Sequence, residues 1–356
     1  MKILIFGDDM SSEAVCGALT RRSAECELVD PLDFVPGLNF LSSRKGVLGR
    51  TGRRLIGALR KAEGMIDRAI GITDPGFADE AYAEKLASYV SAGNYDMLVG
   101  VGPDSVRAVT SLRRFETLSI PCAAVMTDHN GTGYLSDFPL DKYCIPFRDA
   151  GLRSKLSDSA VTVTGIPVLQ LFGADYSREN ARNYLVVPKK KQVFFINSAG
   201  IGKGMITDIC SRIKERTSDP AIYVAARRDD DFTERLKREF DGDQSVQIVA
   251  YTQRINVYLK AADAVFTKPS GAFSTSVALL GVPMIHLPPS SDAETANALF
   301  FSGHEMAVTA KNAKDAVARC LRLVNDNALG IRMKTMQKKY SFPDSADRCA
   351  SFILGN

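Results

Sequence analysis

Short, unbroken apolar runs punctuate the chain, and each leads into a turn of small or polar residues. In the first half the strand segments, with the turns they run into, are Lys2 to Gly7, Asp96 to Pro103, Cys122 to Asp128, Asp141 to Pro146 and Val161 to Val168. In the second half the strand segments are Gln192 to Asn197, Ala221 to Arg228, Val246 to Thr252, Ala264 to Phe266 and Met284 to Leu287. A strand with one wet face alternates apolar and polar positions, whereas a strand covered on both faces reads as a continuous apolar run. Segments 11–22, 205–216, 231–240, 255–262 and 272–280 read as helices between them. The pattern predicts repeated strand–helix units without a solenoid period, hence an α/β protein with parallel sheets.

The clearest unit runs from Ala262 to Ile285. Ala264 to Phe266 meets a Pro269-Ser270-Gly271 turn, a small-residue helix follows, and Gly281-Val282-Pro283 stops it before the next strand. The turn lacks bulk, so N–H groups at the helix start can face an anion such as a diphosphate. A second turn of this kind, Ser198 to Gly204, follows Gln192 to Asn197 and carries Gly200, Gly202 and Gly204. Near the amino terminus Gly7-Asp8-Asp9 leads from strand to helix, as a Rossmann-like domain opens. There Ser11 or Ser12 is expected as the helix cap, with Glu13 favouring the helix dipole.

Composition narrows the class. With 356 residues the chain has room for two domains, and 45% hydrophobic content supplies their cores. A net charge of +4 does not call for nucleic acid. Seven cysteines form no CxxC pair, which predicts reduced thiols in a cytoplasmic protein, and three histidines without a His/Cys cluster argue against a structural zinc. No window approaches the roughly 18 apolar residues of a membrane span, and Met1 to Phe6 reads as a core strand and not as a signal peptide. Segment 38–72 stands apart. Arg44, Lys45, Arg50, Arg53, Arg54, Arg60, Lys61 and Arg68 interleave with Leu48, Leu55, Ile56, Leu59, Met65 and Ile66. Such a basic amphipathic stretch, 44–68, suits an anionic membrane surface, and equally an ordinary helix with a solvated face.

The phrase Thr267-Lys268-Pro269-Ser270-Gly271, with Gly281 and Val282-Pro283-Met284-Ile285 following, resembles the nucleotide-sugar signature of the monogalactosyldiacylglycerol synthase and processive diacylglycerol glucosyltransferase family. Thr164-Gly165-Ile166-Pro167-Val168 is similar to the family's phrase at the crossing between domains. The resemblance implies the GT-B fold, two Rossmann-like domains with parallel sheets facing a central cleft. It implies inverting, metal-independent transfer of a hexose from a UDP-sugar, a substrate and not a resident cofactor, to a lipid acceptor. Carried over residue by residue, the donor site is Gly200 and Gly202, Arg227, Tyr251 and Thr252, then Lys268, Ser270, Gly271 and Ala272. It continues at Ser276 and at Glu294 with Asn297, the last two three apart on one helical face whose cap is expected at Asp292.

The departures are specific. Ser276 stands where the family has a glutamate on the ribose, and Phe273 where it has threonine. The Gly-rich first loop is lost, and Glu13 takes the place of the histidine near the acceptor. A carboxylate there can act as general base if burial raises its pKa. Asp128 matches the family's Thr-Asp-Phe strand end, with His129 in place of the aromatic residue. Both are base or acceptor-binding candidates; otherwise Asp128 is a loop cap and His129 a solvent-facing loop residue.

The expected domains are 1–168 for the acceptor, with 343–356 packing back on it, and 169–342 for the nucleotide-sugar. The expected setting is the inner face of the cell membrane. Alternatives are a weakened homologue that binds a nucleotide or lipid without turnover and, further off, a UDP-sugar epimerase.

Overall fold

The computed structural model describes residues 1–34, 80–115, 119–134, 138–148, 156–173, 177–226, 231–250 and 254–355. The basic stretch 44–68 lies outside the described residues, as do Arg227, Tyr251 and Thr252. Two compact units divide the chain. One comprises Met1–Thr127, Gly131–Pro167 and Ala346–Asn356; the other comprises Asp128–Asn130 and Val168–Ser345.

The first unit runs through β1 (Lys2–Phe6), α1 (Met10–Thr20), β2 (Glu25–Val29), α2 (Glu80–Gly93), β3 (Met97–Val101), α3 (Pro103–Phe115), β4 (Cys122–Val125), β5 (Lys142–Ile145) and β6 (Val161–Val163). Its strands form one parallel sheet in the order β2-β1-β3-β4-β5-β6. The central apolar runs behave as expected: β3 and β4 are buried along their whole length, and the two edge strands, β2 and β6, are partly wet. Gly100 permits close packing, because a Cβ there would lie 2.8 Å from the Ser105 carbonyl and 2.9 Å from the Val106 Cα. The chain's last helix, Ser345–Leu354, belongs to this unit too. Arg22 reaches Asp347 in its first turn at 2.6 Å, and the Lys142 ammonium donates to the carbonyls of Phe352 and Ile353 at its end. A cation at a helix carboxyl end offsets the dipole and meets carbonyls that have no helical partner.

Helix α1 starts earlier than its sequence suggests. Asp9, and not Ser11 or Ser12, is the cap: its carboxylate accepts from the Ser11 and Ser12 amides at 3.0 and 2.9 Å. The Asp9 amide donates to the Ser12 hydroxyl in return, at 3.1 Å, which closes a capping box. Ser11 donates its hydroxyl to the Pro167 carbonyl at 2.8 Å. A carboxylate outcompetes a hydroxyl as acceptor, and so the cap moved two residues upstream.

The second unit runs α4 (Arg178–Tyr184), β7 (Val193–Asn197), α5 (Lys203–Arg216), β8 (Ala221–Ala226), α6 (Asp231–Glu239), β9 (Val246–Ala250), α7 (Ile255–Ala261), β10 (Ala264–Thr267), α8 (Gly271–Leu279), β11 (Met284–His286), α9 (Asp292–Gly303), β12 (Val308–Thr309), α10 (Ala313–Asn325) and α11 (Asn327–Tyr340). The sheet is again parallel, in the order β12-β11-β10-β7-β8-β9. The chain winds outward from β7 to β9, crosses back, and winds the other way from β10. Ligands of such sheets bind beyond the carboxyl ends of the strands where the order reverses, here between β7 and β10.

At the opposite strand ends Asp263 anchors the unit. Its carboxylate accepts from Arg182 at 2.7 Å and from the Val193 amide at 2.8 Å, and also pairs with Arg178. Arg182 is buried and donates as well to the carbonyls of Ala261, Lys189 and Lys191. The run Lys189 to Lys191 is therefore held through its backbone carbonyls while the side chains of Lys189 and Lys190 stay exposed. The cap of α9 is Ser291, not Asp292: its hydroxyl accepts from the Glu294 amide at 3.2 Å.

Candidate functional site

The two turns singled out by sequence sit side by side, because β7 and β10 are hydrogen-bonded neighbours. The Asn197 amide group donates to the Thr267 hydroxyl at 3.3 Å. A Cβ on Gly200 would lie 3.5 Å from Cγ of Lys268, and Gly200 has a left-handed φ of +72°, which suits glycine. At Gly202 and Gly204 a Cβ would meet nothing within 4 Å, so the first turn stands open. Helix α5 begins after Gly202, which has no side chain to cap it. Helix α8 begins after Ser270, whose hydroxyl accepts from the Phe273 amide at 3.4 Å. The first amides of a helix have no partner within it, and here two helix starts present theirs at the carboxyl ends of the two central strands.

Lys268 is committed elsewhere. Its three ammonium hydrogens are met by the Pro288 carbonyl, by the Ser290 hydroxyl at 3.2 Å and by Glu294 at 3.3 Å. Glu294 also accepts from the Ser290 amide at 2.6 Å and its hydroxyl at 2.9 Å. The pair is only partly exposed, and it clamps the turn between β11 and α9. A phosphate in the Pro269–Ser270 turn would compete with Glu294 for this cation.

Asn297, one turn further along α9, is buried and faces neither solvent nor an open turn. Its carbonyl oxygen accepts from the His129 amide at 2.9 Å, and its amide group donates to the Pro269 carbonyl at 3.1 Å. The His129 ring stacks on Phe300, with centroids 3.6 Å apart and planes 11° from parallel, and meets Phe301 edge-on. The expectation of a solvent-facing His129 is thus corrected. Burial holds its imidazole neutral, with a pKa pushed down to about 3. Asp128 is buried and accepts from the Asn130 amide at 2.8 Å, capping its own loop.

The remaining sequence candidates separate. Ser276 is buried at 1% exposure, and its hydroxyl donates back to the Ala272 carbonyl at 3.0 Å. Helix α8 is covered nearly all round, from Gly271 through Ala278, so the position expected to meet the ribose presents no open face. Glu13 is exposed in the first turn of α1, in the unit that holds neither the Gly200 turn nor the Pro269 turn. Burial raises the pKa of the capping residue Asp9, against the bonds it accepts.

Sequence reasoning missed the pair Ser274–His286, fully buried and 3.0 Å apart beneath the start of α8. Burial lowers the His286 pKa to about 3, and its Nδ1 has no partner among the described residues. A histidine inside an otherwise apolar strand run was the available signal.

The fold is GT-B, α/β with two Rossmann-like sheets. The motif resemblance extends well beyond its phrases. The chain is 25% identical to the processive diacylglycerol β-glucosyltransferase of Staphylococcus carnosus over 276 residues, which is 73% of this chain and 67% of that protein. It is 25% identical to the Staphylococcus aureus enzyme of the same name over 255 residues, 68% of this chain and 63% of that one, so it spans about two thirds of these relatives' length. No family model matches the chain. Among solved structures, a putative UDP-N-acetylglucosamine 2-epimerase from Listeria monocytogenes aligns over 98% of this chain and 94% of its own, with TM-score 0.65 and 14% identity. MurG of Acinetobacter baumannii aligns over 100% and 99%, with TM-score 0.62 and 13% identity. Both likenesses are of fold alone.

Proposed function

We propose that the chain transfers a hexose from a UDP-sugar to a lipid acceptor with inversion, as a peripheral protein on the inner face of the cell membrane. The observation that carries this reading is the pair of adjoining helix-start turns at the order reversal between β7 and β10. Relatives named as glucosyltransferases support sugar transfer as the class of reaction. No described helix is long and apolar enough to cross a membrane. The basic stretch 44–68 is the proposed contact with anionic lipid.

The chemistry follows from the parts. The acceptor oxygen attacks the anomeric carbon, and the bond from that carbon to the diphosphate oxygen breaks, so UDP leaves with the electron pair. Amides at Gly200 to Lys203 and at Gly271 and Ala272 meet the growing negative charge, which is worth most where water is excluded. Lys268, drawn from Glu294 by the diphosphate, adds a full charge, and Glu294 is then released to accept from a sugar hydroxyl. Asp128 takes the acceptor's proton; exposed Glu13 lacks the environment for that work. Ser276 offers no grip on the ribose.

The test is calorimetry with UDP, followed by mass spectrometry of lipid products from vesicles containing diacylglycerol and anionic lipid, supplied with UDP-glucose or UDP-galactose. A glycosylated lipid with release of UDP is expected. Failure of UDP to bind at millimolar concentration would overturn the reading. Binding without turnover would favour the second reading, a nucleotide- or lipid-binding homologue, which the sealed Ser276 position motivates. A UDP-sugar epimerase ranks last; it would convert the sugar with no acceptor present.

A further inference from the structure

We propose that Asn297 is a positioning residue that fixes the tripeptide Asp128–Asn130 against the Pro269 turn, and that it does not touch the donor sugar. The kinetic part of this inference rests on the sugar-transfer reading; the structural part does not.

The argument begins with the carboxamide's capacity. An asparagine side chain has one acceptor oxygen and two donor hydrogens. Here the oxygen takes the His129 amide at 2.9 Å, and one hydrogen goes to the Pro269 carbonyl at 3.1 Å. Both partners are backbone groups, so the tie fixes the course of the chain at two places. The residue is 2% exposed, which leaves the second hydrogen no path to a sugar hydroxyl.

The same helix grips the tripeptide a second time. Phe300 and Phe301 follow Asn297 by three and four positions, which places all three on one face of α9. Phe300 stacks on the His129 ring, and Phe301 meets its edge. Helix α9 therefore holds His129 by backbone and by ring, and Asp128 precedes it with its carboxylate bonded to the Asn130 amide. Asp128–Asn130 is part of the second unit, with α9 and the Pro269 turn. The consequence is that one carboxamide sets the place of Asp128 relative to the turn whose amides receive the diphosphate. Glu294, on the adjoining turn of α9, is left as the residue of this helix able to reach the sugar.

Amide hydrogen exchange at 128–130 together with steady-state kinetics tests this. In Asn297→Ala the His129 amide should exchange about tenfold faster, as expected for one lost hydrogen bond. Turnover should fall with the KM for UDP-sugar unchanged, because the donor contacts survive while Asp128 is misplaced. Asn297→Asp keeps the acceptor and loses the donor: His129 should stay protected while turnover still falls, which also serves if the alanine variant does not fold. Unchanged exchange in Asn297→Ala would overturn the proposal. So would a raised KM for UDP-sugar at unchanged turnover, the mark of a direct sugar contact. If the wild type transfers no sugar, the functional reading falls alone, and exchange at His129 still decides the tie.

Discussion

The two units share a sheet type and a strand–turn–helix opening, yet their opening turns are built to opposite ends. In the first unit the turn after β1 is filled by its own chain. Asp9 occupies the Ser11 and Ser12 amides, Ser12 answers the Asp9 amide, and a Cβ on Gly7 would lie 2.3 Å from that of Ser12. In the second unit Gly202 gives α5 no cap and a Cβ there would meet nothing, while the turn before α8 spends one hydroxyl on one amide. A Rossmann-like topology therefore supplies a place for a phosphate without supplying a site. What decides is whether the first amides of the helix are already taken.

The largest expected effect separates the units by acid. All three histidines of the chain, His129, His286 and His304, fall in the second unit. Burial holds His286 and His129 neutral, each with a pKa near 3 against an ordinary value of 6.5. Their stabilising contribution is whole above pH 6.5 and is lost as pH falls toward 3, because only the unfolded chain takes up the proton. His286, without exposed surface, withdraws on the order of 1 kcal/mol per pH unit within that window, so a few kcal/mol between pH 6 and 4. His129, stacked but only half-buried, adds part of the same. Asp9 acts in the opposite sense: its raised pKa makes the first unit gain as pH falls through that value. Hydrogen exchange resolved by unit, at pH 7, 6 and 5, should show the second unit loosening first. The variant His286→Leu should flatten that response; an unchanged slope would show that other groups set it.

How much of this was legible depended on whether a residue's role is local. Uninterrupted apolar runs identify strands covered on both faces, whereas the strand order belongs to the assembled sheet and not to any one run. The Pro269-Ser270-Gly271 turn is readable because missing bulk is a property of those residues themselves. Asp9 against Ser11 was a contest between neighbouring caps, decided by charge and by where β1 ends. Ser276 was hidden for a different reason: a helix of small residues carries no pattern to say that every side is covered. Asn297 illustrates the limit best, since its partners, His129 and Pro269, lie 168 and 28 positions away.

Next in size is an attempt to close the open turn. Gly200→Val places a branched side chain at a φ of +72°, against Lys268. UDP affinity should fall on the order of 10-fold, about 1.4 kcal/mol. Gly202→Ala is the control, because its φ of −72° suits any residue and its Cβ would point into open space. A small loss at Gly202 beside a large one at Gly200 would locate the diphosphate between the two turns. Equal losses would mean that backbone freedom, and not contact, matters there.

The smallest effect comes from opening the closed turn. Asp9→Ala removes a helix cap and should cost about 1 kcal/mol in denaturant unfolding. Part of that cost is returned at neutral pH, where the partly buried carboxylate is held charged against its surroundings. Asp9→Asn keeps an acceptor for the Ser11 and Ser12 amides without the charge, and so should unfold at nearly the wild-type midpoint. The informative reading is ligand binding. With Asp9 gone, those two amides point from a helix start at the carboxyl end of β1, next to β3, which is the order reversal of the first sheet. If an occupied helix start is all that keeps this turn from being an anion site, Asp9→Ala should gain weak phosphate binding that the wild-type turn lacks. If no phosphate binds, the close approach of Gly7 to Ser12 is what seals the turn, and steric closure replaces capping as the difference between the units.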